Sequence, residues 1–226
     1  IYITLKNSKY EVVLNSLGAE INSFRVLKNG TQLVFEGPTE VWKYHAPVLF
    51  PHVGRIKDGF YTYKGKKYNL VNNGMSRDME HKIIAQDEKS VTFELTESEE
   101  TFPKFPWKFS LKTYYELKDD GLIFTTTVTN TDSSEMLFSL GSHTAFCCPR
   151  NTDAAGTTNS DYQYEFEMKE PLTTVLLNSE AQLATDEDGT APCTKLYGEK
   201  DAGIIPINEK GFGNGHFFTK FSSNWV

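Results

Sequence analysis

Trp107-Lys108-Phe109-Ser110-Leu111-Lys112-Thr113-Tyr114-Tyr115, followed after a short break by Leu122-Ile123-Phe124-Thr125-Thr126-Thr127-Val128, is the stretch whose reading decides the fold. In the first run Trp107, Phe109, Leu111, Thr113 and Tyr115 share one face, and Lys108, Ser110 and Lys112 share the other. In the second, Leu122, Phe124, Thr126 and Val128 alternate with Ile123, Thr125 and Thr127. A period of two puts successive side chains on opposite faces of a strand, whereas a helix would scatter the same residues around its axis. Between the runs, Lys118-Asp119-Asp120-Gly121 is polar and ends in glycine, so it reads as a hairpin loop.

The same pattern extends outward. Val91, Phe93 and Leu95 alternate with Thr92 and Glu94, which predicts another strand. Tyr61-Thr62-Tyr63, a turn at Lys64-Gly65-Lys66, and Lys67-Tyr68-Asn69-Leu70 predict a second hairpin. Asn130 to Ser134 is a polar connection before the apolar run Met136 to Leu140, read as a strand leading into Gly141. Residues 150–160 and 179–203 read as loops, the latter carrying Asp186, Glu187 and Asp188 ahead of Gly189. No segment shows helical periodicity over more than about three turns. Many short strands with frequent turns indicate an all-β, antiparallel sandwich rather than an α/β sheet. No linker interrupts the 226 residues, so a single domain spanning 1–226 is expected.

Composition limits the function classes. The net charge of −7 and the lack of an uninterrupted basic run argue against a nucleic-acid partner, which needs clustered Lys and Arg to neutralise phosphates. No run approaches 18 apolar residues, so no membrane span is expected. The opening Ile1-Tyr2-Ile3-Thr4-Leu5-Lys6 lacks the basic and apolar regions of a signal peptide. Three cysteines, Cys147, Cys148 and Cys193, form neither a disulfide framework nor a zinc spacing. Reduced thiols, a cytoplasmic location, no metal, no cofactor and a neutral or weakly charged small-molecule ligand are the expectations.

Acid–base chemistry near neutrality begins with histidine, and five are present: His45, His52, His81, His143 and His216. His143 lies in Leu140-Gly141-Ser142-His143-Thr144-Ala145-Phe146, where small residues can form the wall of a pocket. Phe50-Pro51-His52-Val53-Gly54-Arg55 leads through glycine to a guanidinium suited to bidentate contacts, or to a surface ion pair with Asp58. Asn72-Asn73-Gly74-Met75-Ser76-Arg77-Asp78 is a polar turn with two amides and a second arginine. Amides donate and accept at once, which suits sugar hydroxyls, and they are equally ordinary in turns.

Four motifs in order carry a resemblance: Phe50-Pro51 with Val53-Gly54-Arg55 and Gly59, then Tyr63, Gly65, Tyr68 and Leu70, then Asn73 to Glu80, then Gly141 to Phe146. With Asn15 to Ile21 and Val41-Trp42, they make the chain similar to the aldose 1-epimerase (galactose mutarotase-like) family, in its LacX-like bacterial branch. The resemblance implies a large β-sandwich, or supersandwich, and a hexose as partner, with a homodimer compatible. It implies interconversion of α and β anomers by general acid–base ring opening, without metal. His143 matches the family's acid and Arg55 the arginine that holds sugar oxygens, with Asn73, Arg77 and His216 as further substrate-binding candidates. Asn73 stands where the family has a second histidine, and an expected aspartate falls near Gly215, where His216 is a substitute. The family's general-base glutamate falls in a C-terminal strand region beyond Val226, so either the chain is a fragment, in line with a start at Ile1, or it has lost its base. The alternatives are a non-catalytic carbohydrate-binding or sensor protein, a hexose-6-phosphate 1-epimerase in which Arg77 grips phosphate, and an interaction domain recruiting partners at sheet edges.

Overall fold

The computed structural model describes residues 1–180, 182–187, 194–197, 203–207 and 217–219, with 194–197 and 217–219 described by backbone alone. Among the described residues the elements are strands and three single-turn 3-10 helices, so the all-β reading holds. No helix among them is long and apolar enough to cross a membrane. The chain divides into two compact units, Ile1–Thr152 and Asp153–Val226.

The first unit contains two four-stranded antiparallel sheets, each in chain order. One comprises β1 (Tyr2–Lys6), β2 (Tyr10–Asn15), β3 (Glu20–Val26) and β4 (Thr31–Gln32). After β5 (Val48–Leu49) and the hairpin of β6 (Phe60–Tyr63) and β7 (Lys66–Asn69), the second sheet follows. It comprises β8 (Lys82–Gln86), β9 (Ser90–Thr96), β10 (Phe109–Leu117) and β11 (Leu122–Asn130). The β6–β7 turn places Lys64 and Gly65 at φ 47° and 75°, the left-handed pair that matches strand twist in two-residue hairpins. Lys118 N–H to Gly121 O, 2.8 Å, closes the expected β10–β11 loop.

The register between β9 and β10 sets Val91 opposite Tyr115, Phe93 opposite Thr113 and Leu95 opposite Leu111. All six side chains are buried, so the two alternating patterns meet on one face. Val91, Phe93, Tyr115 and Leu117 pack against Leu5, Val12 and Leu14 of the first sheet and against Ala19, just before β3. Leu95, Phe109 and Leu111 join Phe105 and Trp107 in enclosing Val48, Phe50, Met75 and Met79. Each such large apolar side chain contributes roughly 1.5–3 kcal/mol of transfer free energy. Two buried ring tips are satisfied, Tyr115 OH donating to Ala19 O at 2.8 Å and Trp107 Nε1 to Glu135 O at 2.8 Å, whereas Thr113 Oγ1 is buried without a hydrogen-bond partner.

Two expectations for this unit need correction. Met136 to Leu140 is not a strand; the residues that pair are β12 (Gly141–Ser142), with β5. Within that run Met136 alone is buried, and Leu137, Phe138 and Leu140 are exposed, so its apolar character reflects no ladder. In β11 Leu122, Thr126 and Val128 are half-buried, but Phe124 stays 37% exposed, its ring stacked 5.2 Å from Tyr115. β11 is the end strand of the described sheet, which covers its residues less fully.

In the second unit β13 (Gln163–Glu165) pairs with β16 (Ile204–Pro206), and β14 (Leu172–Val175) lies between β15 (Thr194–Tyr197) and β17 (Phe217–Thr219). Phe166, Leu172 and Ile205 form its small core. β15 and the bridge between Leu177 and Leu183 correct the reading of 179–203 as loop throughout. In β15 the two apolar residues, Leu196 and Tyr197, are adjacent, so no alternation marks the strand. Cys147 and Cys148 are half-buried, whereas Cys193, Asp188 and Gly189 lie outside the described residues.

Truncating Leu111 to alanine is expected to cost about 2–5 kcal/mol, measured by denaturant unfolding, because its cluster cannot collapse around the void. Lys112→Ala, on the opposite face, should change stability by no more than about 0.5 kcal/mol.

Candidate functional site

The residues singled out in the sequence are organised around the strip from His45 to Arg55. Val48, Leu49 and Phe50 are buried, which anchors the strip in the core. Its backbone must then find partners on both edges, since unpaired buried peptide groups are costly. On one edge Leu49 pairs with Gly141 and Val48 with Ser142. The ladder continues as His143 N–H donates to Pro47 O at 3.1 Å and Ala145 N–H to His45 O at 2.9 Å. This pairing delivers His143 to an exposed position at the end of β12.

On the other edge Phe50 O accepts the N–H groups of Met75, 2.9 Å, and Ser76, 3.1 Å. Gly74 sits at φ +73°, and a Cβ there would lie 2.2 Å from Phe50 O, so this approach requires glycine. Asn73, at φ 61°, occupies the left-handed region that asparagine tolerates better than most residues. Its N–H donates to Gly54 O and its Oδ1 accepts the Gly54 N–H, both at 2.8 Å. Asn73 is thereby locked beside the residue preceding Arg55, which is exposed.

A row of side chains runs from His143 through residues 42–44 to Asp78. The His143 and Trp42 rings lie 5.0 Å apart at 42°, and Trp42 meets Tyr44 edge-on at 5.7 Å. Lys43 Nζ and the Arg77 guanidinium carbon lie 4.7 and 4.4 Å from the centre of the Tyr44 ring. Tyr44 OH and Lys43 Nζ each donate to Asp78 Oδ1 at 2.9 Å. Partial burial works to raise the Asp78 pKa, but hydrogen bonds from Lys43 and Tyr44 outweigh it and hold the carboxyl below its ordinary value. Arg77 gives Nη2 to Asn72 O at 2.7 Å, places Nε 3.7 Å from Asp78 Oδ2, and is only 13% exposed. Nη2 is engaged within the fold, while Nε is buried without a hydrogen-bond partner.

Burial sorts the histidines. His81 is 2% exposed, with Nε2 3.2 Å from both Ser76 O and Ser76 Oγ, and with Nδ1 buried and unpartnered. Burial drives its pKa down to about 4, against a smaller opposing effect of the Ser76 carbonyl. His52 lines an apolar pocket of about 420 Å³ with Ile56, Tyr61, Phe105 and Phe138, and burial lowers its pKa too. Arg55, Asn73, Arg77 and His143 do not line that pocket. His45 Nδ1 is 3.3 Å from Asn22 Nδ2 and 3.6 Å from the buried Glu20. Of the four described histidines, His143 is the exposed one. His216, with Gly213-Asn214-Gly215, lies outside the described residues.

The structure thus places Asn73 against the Arg55 segment, His143 on the opposite edge of the same strip, and Arg77 on Tyr44. Trp42, Tyr44 and Glu20 were not among the sequence candidates. The available signal was the pair of rings flanking Lys43 just before Pro47. His143 is thus an exposed imidazole on an aromatic face, and Asn73 and Arg55 lie at the other edge of the strip.

Comparison with known proteins gives the family. The Aldose 1-epimerase family model matches residues 2–194, and the chain belongs to the aldose 1-epimerase family. It is similar to plasmid Protein LacX of Lactococcus lactis subsp. lactis, 28% identical over 170 residues that make up 73% of this chain and 56% of LacX. The chromosomal LacX of the same organism matches with the same identity and shares. The chain therefore spans little more than half the length of these relatives. It also resembles the galactose mutarotase related enzyme from Lactobacillus acidophilus, with a TM-score of 0.87 and 27% identity, over 98% of this chain and 70% of that one. A galactose mutarotase-like protein from Lactobacillus casei gives a TM-score of 0.82 at 27% identity, over 96% and 71%. The fold is the galactose mutarotase-like β-sandwich.

Gly74→Ala is expected to destabilise the protein by more than about 3 kcal/mol, read from chemical unfolding, since it combines a backbone clash with strained φ. The buried His81 makes stability depend on pH. Its folded pKa of about 4 lies below its ordinary 6.5, so between those values the unfolded chain takes up a proton that the folded chain refuses. Stability is full above pH 6.5 and falls by about 3 kcal/mol as the pH drops toward 4. Unfolding curves recorded across that range should show the decline, and His81→Gln should flatten it.

Proposed function

We propose that the protein interconverts the α and β anomers of a free hexose such as glucose or galactose, with His143 as the proton donor to the ring oxygen. The single observation that carries this reading is the exposed His143 ring packed 5.0 Å from Trp42, while its backbone N–H is held by Pro47. A histidine fixed by its main chain, with its ring at the surface, can reach a substrate oxygen and exchange a proton with it. Trp42 offers the C–H face of a pyranose an apolar surface. Arg55 binds sugar oxygens through its fork. Asn73, whose Oδ1 accepts from Gly54, donates to a hydroxyl through Nδ2.

In the reaction a carboxylate base removes the proton of the C1 hydroxyl while the imidazolium protonates O5. The C1–O5 bond breaks, leaving the open-chain aldehyde. Rotation about C1–C2 turns the other face of the carbonyl toward O5; on reclosure the O5 proton returns to the imidazole and the protonated base gives its proton back to the C1 oxygen. Family resemblance gives the base role to a glutamate, and none of the described residues is assigned to it.

A non-catalytic sugar-binding protein is the second reading, favoured by the Asn73 amide, which cannot carry a proton where the family has histidine. A hexose 6-phosphate is less well supported as ligand, because Arg77 is engaged by Asn72, Asp78 and Tyr44.

Polarimetry on the full-length protein decides between these readings. His143→Gln should slow anomer interconversion by about 10²-fold or more. Full activity in that variant rules out the role given to His143. Saturable glucose binding with no acceleration by the unmodified protein favours the second reading, and stronger binding of glucose 6-phosphate than of glucose revives the phosphate reading.

A further inference from the structure

We infer that Glu20 is a positioning residue for His143 and Trp42, acting through the backbone of His45 and Ala46. Its functional meaning rests on the sugar-site reading above; its geometry does not.

The Glu20 side chain is 8% exposed, and Oε2 accepts two consecutive backbone N–H groups, His45 at 3.0 Å and Ala46 at 3.1 Å. The next residue, Pro47, has no N–H to offer. A buried carboxylate must be hydrogen-bonded to remain charged, and bonds to an ionised acceptor are stronger than neutral ones. Among the described residues its ion-pair contact is His45 Nδ1 at 3.6 Å, so the two peptide N–H groups are its main partners. Segment 45–47 therefore has a charged anchor on one side and a ladder on the other. His45 O accepts the Ala145 N–H and Pro47 O accepts the His143 N–H. A shift of this segment displaces His143 with it, and Trp42 is only three residues upstream.

The anchor itself is rigid. Ala19, just before Glu20, sits at φ 48° with its carbonyl held by Tyr115 OH at 2.8 Å inside the core. Gly18 N–H donates to Met79 O at 2.8 Å, and a Cβ on Gly18 would lie 2.8 Å from Arg77 O. Glu20 is thus tied to the sheet core and to the turn bearing Arg77, and it transmits that position to the strand opposite His143. Its cross-strand partner in β2 is the uncharged, buried Asn15.

The experiment is NMR on the full chain with labelled histidine and tryptophan, together with anomer-exchange rates. In the unmodified protein the His143 ring protons should be displaced by the Trp42 ring current, a displacement removed by Trp42→Leu. Glu20→Gln, whose carbonyl can still accept both N–H groups, should keep it. Glu20→Ala should lose it and slow anomer exchange by roughly 10²-fold, while cooperative unfolding persists. If Glu20→Ala fails to fold, Glu20→Asp keeps the charge but withdraws the acceptor by one methylene, and the His143 signals should move. Unchanged His143 signals in a folded Ala variant, or in the Asp variant, overturn the inference. If the unmodified protein neither binds nor converts hexose, the sugar-site reading fails, and the ring-current result still decides the role of Glu20.

Discussion

The strip from His45 to Gly54 is hydrogen-bonded along both edges while its apolar side chains are sunk in the core. Val48 and Phe50 take it inward, against Phe105, Phe109 and Met75. Once inward, its peptide groups have no water to turn to, and the chain segments that satisfy them are held at fixed distance. Those segments carry His143 on one side and Asn73 on the other. The site is a by-product of paying attention to backbone polarity: whatever pairs with the strip is placed beside whatever else pairs with it.

Environment, rather than residue type, separates the histidines. His81 is enclosed and neutral over the ordinary pH range, with an unpartnered Nδ1 that has nowhere to send a proton. His52 faces apolar rings, and burial again works against its charged form. His143 alone of the four described stands at the surface, braced by Trp42. An imidazole needs solvent or substrate contact to exchange protons, so exposure together with a fixed backbone is what distinguishes a candidate acid from a core residue.

The charged groups around Tyr44 act as a buttress. Asp78 gathers Lys43, Tyr44 and, at longer range, Arg77, and the Arg77 guanidinium covers the Tyr44 ring. This ties the Trp42–Tyr44 segment to the turn that follows Asn73. Glu20 performs the complementary task from the other side, through peptide N–H groups. The aromatic face beside His143 is consequently held by two carboxylates in different settings, one partly hydrated and one enclosed.

Strand identity was legible in the sequence where alternation ran long enough. The faces of β9 and β10, the two hairpins and the absence of long helices among the described residues follow from a period of two and from turn chemistry, both local properties. Where the local signal was short or misleading it failed: Met136 to Leu140 is mostly apolar without being a strand, and β15 has four residues with no alternation. For the site, the sequence by itself singled out His143, Arg55 and Asn73, because unusual residue types stood in small-residue or turn settings. Only the tertiary structure decided that His81 is enclosed, that Arg77 lies on Tyr44, that Trp42 backs His143 and that Glu20 reaches residues 45 and 46. Those facts depend on contacts between residues tens of positions apart, which arise when buried peptide groups and carboxylates find their partners, and no local pattern encodes them.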